Sequence, residues 1–566
     1  MTKRLCSVPA HWILLAAGFV FLLTDAFHGN IWFDETYSVA IARYPFDQIW
    51  TIDSSDVHPV LFYWALHVLY LIFGTNLVAY RVFTVCGAWA LALLGFTHMR
   101  RDFGPRAGVW FTFLALFMPY IPTMAVQIRM YSWATFAVTL CALSAWRIAK
   151  RLRSEDAKPL VPAGLWAAFF LSSLASAYLH YFGALSAFMV NLFLLVYLVR
   201  RGRGGLRQLA VFLVGAVAQV LVYLPWLFAA VISQLGVVGN TYWANPVWPT
   251  SYIEHATYPI VTSYLSFALR GENGPLVALI AQALMVLLVV ATAAVAVCLV
   301  RKVRALTGRD GLRACVKGAL SHDAARAALL GVMLYVSVYL LGLIAGIVLN
   351  SYIMYYRYLF VTMGPWLVFL ALVLSRVDEG WLRGAVCAVL LCAAVLNQAI
   401  LMYDDYSPDN QAPLTYFEQT YQETCEAAAS EAAASEAAAS ETTTPEAAQS
   451  KTDQAVSVPV LSSDIGVISI TSLAYQGIPQ TYMDWQPGNW NAGYLCYAPT
   501  LSITRNWETT LDGYHGYFVV LGQSTGSQAR DVHDLAAKDG VSLVSERLMF
   551  RPYERTYFDV AVMYKQ

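Results

Sequence analysis

Val60-Leu-Phe-Tyr-Trp-Ala-Leu-His-Val-Leu-Tyr-Leu-Ile-Phe73 is an apolar run interrupted by one histidine, and its length of 14 residues decides how the rest of the chain is read. A helix needs about 17 to 25 apolar residues to cross a bilayer. This run therefore predicts an interfacial or re-entrant helix that stays on one side. Eleven other segments are long enough to cross, near 11–28, 78–98, 107–126, 130–147, 161–179, 183–199, 208–230, 275–299, 327–349, 359–375 and 384–402. The 566 residues are 58% hydrophobic and 13% charged, which excludes a soluble globular chain and predicts a polytopic membrane protein. Its formal net charge of zero is uninformative, because the charges are segregated along the chain.

That segregation sets the topology. With Val60 to Phe73 not crossing, 23 basic residues, from Lys3 and Arg4 to Arg376 and Arg383, fall on one side of the membrane. Only five, Arg43, Arg81, Arg129, Arg270 and Arg357, fall on the other side of the membrane domain. Lys and Arg accumulate in cytoplasmic loops, so the first side is the cytoplasm and the first loop, 29–77, lies outside. A crossing helix at Val60 to Phe73 would reverse every later loop and invert the bias. The N-terminal Met-Thr-Lys-Arg and the apolar run after it resemble a signal peptide, but no small-x-small cleavage site follows, so the segment reads as an uncleaved first span.

The odd number of spans places the chain beyond about Tyr403 outside. The organisation expected is an all-α polytopic membrane domain over 1–402 and a connection over 403–425. A low-complexity spacer over 426–455 and a small α/β extracytoplasmic domain over 456–566 follow. Glu426 to Ser440 is three copies of Glu-Ala-Ala-Ala-Ser, partly helical or disordered by composition and with nothing to pack against. Strand-like runs appear at Val456 to Ser462, Gln480 to Asp484, Gly516 to Gln523 and Val541 to Tyr564, with a helix pattern over Gln528 to Asp539. The nine cysteines show no metal-ligand spacing; Cys425 and Cys496 are placed to pair in an oxidising compartment.

Chemistry concentrates in the first outer loop. Asp34 and Glu35, in Ile31-Trp-Phe-Asp-Glu-Thr-Tyr37, directly follow the first span. Ionisable groups at such a depth are costly and mark functional sites. Neighbours in a helix diverge by about 100°, so one carboxylate can face a cavity while the other is bonded elsewhere. The same pair also fits an interfacial acid cap. Asp53, Asp56 and His58 follow in Ile-Asp-Ser-Ser-Asp-Val-His-Pro, where the histidine can donate to a phosphate, hold a metal or complete a cap network.

Arg129 and Arg357, each flanked by tyrosines, sit at outer ends of spans, where a guanidinium suits phosphate oxygens or snorkels to headgroups. His180 with Tyr181, Tyr223 with Trp226, and the Trp- and Asn-rich loop Asn240 to Trp248 fit an aromatic belt or a sugar-binding face. Phosphate loops, hydrolase signatures and paired-cysteine motifs are not evident, which argues against soluble nucleotide chemistry.

In this order the motifs resemble the polyprenyl-phosphate-dependent glycosyltransferases of the membrane-embedded GT-C fold, and among them the family 39 group. That group includes protein mannosyltransferases and lipid A aminoarabinose transferases. The matching stretches are Phe33-Asp-Glu-Thr-Tyr37, Asp56-Val-His-Pro59, Phe73-Gly-Thr-Asn76, Ala79-Tyr-Arg81, Gln127-Ile-Arg-Met-Tyr131, Leu179-His-Tyr-Phe182, Tyr223-Leu-Pro-Trp226 and Arg357-Tyr-Leu359. They cover roughly residues 1 to 400.

The resemblance implies transfer of one sugar, of a mannose-like kind, from a polyprenyl-phosphate donor to an acceptor glycan, lipid or protein on the outer face, with inversion and no cofactor. It implies Asp34 as general base with Glu35 as its catalytic neighbour, and His58, Arg129, Arg357, Asp56, Tyr131 and His180 as donor-binding residues. The plasma membrane, with a cytoplasmic N-terminus, is the implied location, and the motif spacing resembles bacterial members. Family members often read Glu-x-Arg-Met-Tyr where this chain has Gln127, so no metal site is carried over, and His-Pro-Pro where it has Val60, a change that affects loop geometry more than chemistry.

Two other classes compete with this reading. A transporter would place its ionisable residues near the bilayer midplane, in broken helices related by repeats. A cell-envelope scaffold would act through the outer domain alone.

Overall fold

A computed structural model of the chain describes residues 7–153, 161–235, 247, 249–258, 261, 263–307, 322–351, 353–440, 456–483, 490–504, 510–524 and 529–566. The chain forms two compact units, Met1–Phe27 with Pro45–Met402 and His28–Tyr44 with Tyr403–Gln566. The first outer loop is therefore divided. Its opening segment, expected with the membrane domain, packs with the C-terminal part.

In the first unit all eleven expected segments are helical: Val8–Leu23, Leu77–Phe103, the pair Pro105–Phe117 and Tyr120–Val126, Tyr131–Arg153, Ala163–Leu179, Tyr181–Arg200, Leu206–Leu235, Pro275–Thr307, Asp323–Val348, Met363–Ser375 and Gly380–Asp405. Among the described residues, six helices have the length and apolarity to cross a membrane, or seven if the pair bent by 63° is one span. The bend falls at Met118-Pro119, where Met118 is extended; a proline removes a ladder hydrogen bond and breaks the helix. The expected span 359–375 is also divided. Its chain leaves the helix at Val361 and Thr362 and restarts at Met363, with Pro365 in the first turn, where a missing N–H costs nothing.

The decisive apolar run is the helix Leu61–Phe73, whose 13 residues rise about 20 Å against a hydrocarbon core of about 30 Å. It stops at Gly74, whose φ of +63° suits a residue without a Cβ. The next helix begins at once, because the Asn76 side chain accepts the Ala79 N–H at 3.0 Å. Helix packing relies on small residues. A Cβ on Gly364 would lie 1.6 Å from Thr139 Oγ1, so the helices carrying them touch where glycine allows it.

The second unit contains a six-stranded mixed sheet in the order β3-β2-β1-β4-β6-β5, formed by β1 (Val460–Ser462), β2 (Gln480–Met483), β3 (Leu501–Thr504), β4 (Gly516–Ser524), β5 (Val541–Arg551) and β6 (Thr556–Lys565). Strands β1 to β4 pair in parallel, and β6 runs antiparallel to both β4 and β5. Alternation along β4 sends Val519 and Leu521 to one face and Phe518 and Val520 to the other. The helix Arg530–Ala536 covers the second face with Val532 and Leu535. The short strand β3 was not anticipated from the sequence. Among the described residues no disulfide forms, Cys425 and Cys496 included, contrary to the expected pairing.

One helix runs through most of the expected connection and into the expected spacer. Ala412–Ser440 is one helix, and Leu414 and Phe417 are buried in the sheet core with Tyr421, Cys425 and Ala428 packed beside them. These five positions follow a helical stripe that runs into the first Glu-Ala-Ala-Ala-Ser repeat. Glu431 in the next repeat accepts from the Tyr564 hydroxyl. Phe417→Ala is expected to cost this unit about 3 to 5 kcal/mol, read as a lower unfolding midpoint of the full-length protein followed by exchange of the sheet amides.

Candidate functional site

The helix Phe33–Ile41 carries Asp34 and Glu35 in its first turn, where negative charge is favoured by the helix dipole. All its described anchors within the second unit come from the C-terminal part. Asn30, just before it, donates to the Asp405 carbonyl at 2.7 Å and accepts from Gln411 at 2.7 Å. Thr36 Oγ1 lies 3.0 Å from Ser469 Oγ and 2.9 Å from Tyr497 Oη. Beyond the helix, the Tyr44 hydroxyl donates to the carbonyls of Leu495 and Ala498.

The two carboxylates have different surroundings. Glu35 is fully buried, and its Oε2 accepts the Tyr553 hydroxyl at 2.8 Å. Asp34 is half-buried. Tyr553 belongs to the turn between β5 and β6, where Asn410 Oδ1 accepts its N–H at 2.8 Å. The buried guanidinium of Arg551 donates to the Asn410 carbonyl at 3.1 Å and to the Ile31 carbonyl at 3.2 Å, and pairs with Glu554. Arg555 donates to Asp404 at 2.6 Å.

Burial pushes the Glu554 carboxyl up to about 7, against the pull of Arg551, and Glu35 adds to the rise. A carboxyl whose affinity for a proton is higher folded than unfolded stabilises fully below its unfolded value, near 4.5, and that stability is lost as pH rises through about 7. The second unit is thus expected to lose stability between about pH 5 and 7. Thermal unfolding over that range checks this, and Glu554→Gln is expected to flatten the dependence.

The first unit holds a separate group. His58 Nδ1 lies 3.1 Å from Asp56 Oδ2, and its Nε2 lies 3.0 Å from Arg129 Nη2. The same guanidinium nitrogen lies 3.3 Å from His58 Nδ1, so Arg129 packs against the imidazole ring while Asp56 holds Nδ1. Arg129 is buried, and its Nη1 also donates to the Tyr63 hydroxyl at 3.3 Å. Tyr63 comes from the short helix, so that helix positions the guanidinium as well as the loop before it.

The His180 ring lies 6.1 Å from His58, 5.8 Å from Tyr131 and 5.4 Å from Tyr358. Asp53 is fully buried, and burial holds its carboxyl well above the usual range, with Asp56 adding to the shift and Arg129 opposing it. Gln234 donates to the carbonyls of Asp53 and Ser54 at 3.1 and 3.2 Å, and Tyr181, itself bonded to Trp226, donates to Gln234.

Of the expected residues, Asp56, His58, Arg129, Tyr131 and His180 are thus brought together. Arg357 lies over the Tyr355 ring at 5.0 Å, and its neighbour Tyr358 touches His180. The loop Asn240 to Trp248 lies outside the described residues, apart from Val247. Tyr553, Arg551, Glu554, Tyr63 and Gln234 were not anticipated as site residues. Arg551, Tyr553 and Glu554 lie at the end of β5 and in the turn after it, Tyr63 and Gln234 lie on apolar helices, and no spacing rule links any of them to the loop. Asp53 was visible as part of the polar loop, but only its burial distinguishes it from Asp56.

The chain has the GT-C fold seen in the solved structures of ArnT. The crystal structure of ArnT from Cupriavidus metallidurans bound to undecaprenyl phosphate matches it with a TM-score of 0.50 and 12% identity over 97% of each chain. The apo state of the same protein gives 0.44 and 13% over 98% of each chain. The Archaeoglobus fulgidus oligosaccharyltransferase complex with Zn and sulfate gives 0.37 and 13%, over 81% of this chain and 61% of its own. No protein-family model matches the chain, and neither does any curated protein.

Proposed function

We propose that the protein is a membrane glycosyltransferase that moves one sugar from a polyprenyl-phosphate donor to an acceptor on the outer face of the plasma membrane, with inversion. The observation that carries this reading is the buried Arg129 guanidinium against the His58 imidazole, itself oriented by Asp56, in a chain with the fold of a protein crystallised with undecaprenyl phosphate. A buried cation beside an imidazole suits the phosphate of a leaving polyprenyl phosphate. His180, Tyr131 and Arg357 complete the donor-binding set, and the short helix keeps the loop at the membrane surface.

The acceptor hydroxyl needs a base as its oxygen attacks the anomeric carbon. Asp34 takes that proton; the new glycosidic bond forms as the bond to the phosphate breaks, and the electron pair leaves with polyprenyl phosphate. Attack opposite the departing phosphate inverts the anomeric centre. Glu35, enclosed and bonded to Tyr553, suits holding the helix rather than meeting the acceptor.

Reconstituted protein offered a panel of radiolabelled polyprenyl-phosphate hexoses and pentoses, with a membrane extract as acceptor source, tests this. One donor class is expected to be consumed into a heavier product. Consumption of none across the panel removes the reading.

A further inference from the structure

We propose that the β5–β6 turn, Arg551 to Arg555, is a positioning element that sets the aim of Asp34. This inference rests on the reading of Asp34 as base. The acidic helix is only nine residues long, too short to be stable without tertiary contacts. Its orientation is therefore set by what holds it.

Thr36 is held by Ser469 and Tyr497, and two further contacts at the start of the helix come from this turn of the sheet. Arg551 Nη1 fixes the Ile31 carbonyl, two residues before the helix, and the Tyr553 hydroxyl fixes the Glu35 side chain. Since Asp34 and Glu35 point about 100° apart on one turn, pinning Glu35 fixes the rotation of the helix and with it the direction of Asp34.

The turn is itself rigidly held. Asn410 accepts through its side chain from the Tyr553 N–H and through its carbonyl from Arg551, while Arg555 is tied to Asp404. Asn410 is in turn bonded to the Asp404 carbonyl at 2.7 Å. The turn, the end of the helix Gly380–Asp405 and the segment after it form one hydrogen-bonded frame, and the acidic helix is fastened to it. On this view the C-terminal domain is part of the catalytic apparatus: it contributes a residue that acts on the base through Glu35 without touching substrate.

Tyr553→Phe removes one hydroxyl and keeps the ring that packs on His28 at 5.2 Å, so it separates aim from folding. In full-length reconstituted protein, with whichever radiolabelled donor the wild type consumes, kcat is expected to fall about tenfold and the donor KM to stay within about twofold. Amide exchange of residues 33–41 is expected to speed up, with the unfolding midpoint of the sheet unchanged. Glu35→Ala is expected to lower kcat similarly, and the double variant to be no worse than the poorer single one.

Asp34→Asn is measured alongside. If Asp34→Asn abolishes transfer and Tyr553→Phe keeps the full kcat, or if the two losses multiply in the double variant, the positioning role is overturned while the base assignment stands. If Asp34→Asn keeps full turnover, the base assignment itself fails and the inference fails with it.

Discussion

Asp34→Asn is expected to lower sugar transfer by about 10²- to 10⁴-fold, the usual contribution of a positioned general base, with donor binding and expression unchanged. Asparagine keeps the volume and one acceptor oxygen but has no useful proton affinity, so the loss reports the proton transfer. Asp34 is half-buried in the first turn of a held helix, while its neighbour Glu35 is enclosed and occupied by Tyr553. Only one of the two acids therefore suits contact with an acceptor. Glu35→Gln is the informative companion: it retains an acceptor for Tyr553 and is expected to lose much less than Asp34→Asn. Equal losses in the two variants would mean that charge on the helix matters more than a base at Asp34.

Arg129→Gln is expected to reduce transfer by about 10²- to 10³-fold, the scale seen when one preorganised donor to a developing charge is removed. The guanidinium is buried and bonded to His58 and Tyr63, so its position is set before substrate arrives and little reorganisation accompanies the reaction. Its loss should fall on kcat/KM, and Arg129→Lys should restore little. An ammonium supplies charge without the fork of donors that a phosphate and an imidazole can share. Steady-state kinetics with increasing donor concentration checks this. A lysine variant of near full activity would indicate a general electrostatic role instead.

The positions of the apolar helices were legible because bilayer thickness acts on sequence directly. A run of 14 apolar residues from Val60 to Phe73 is read as non-crossing by length alone, and Leu61–Phe73 is indeed a 13-residue helix. The grouping of Asp56, His58, Arg129 and His180 was legible as a set of costly polar residues at one level of the chain, although their pairing was not. What remained hidden depends on long-range contacts. Nothing in Pro552-Tyr-Glu-Arg555 points to a partner more than 500 residues earlier, yet Tyr553 holds Glu35 over a sequence separation of 518.

The division of the first loop was hidden for the same reason. Residues 28–44 are held by side chains of Arg551, Ser469, Tyr497 and Gln411, and none of these has a periodic signature. The helix Ala412–Ser440 is a different case. Its apolar stripe from Leu414 to Ala428 was present in the sequence, but the low-complexity repeats that follow drew the boundary too late.

Sugar transfer releases one polyprenyl phosphate for each sugar joined to acceptor. Reconstituted protein, given the polyprenyl-phosphate sugar it consumes together with its acceptor, is analysed by mass spectrometry for sugar joined to acceptor and for free polyprenyl phosphate. Equal amounts of the two are expected, rising together with time and both absent in Asp34→Asn. Disappearance of donor from one side of the bilayer with its sugar–phosphate bond intact, and no glycosylated product, would contradict sugar transfer.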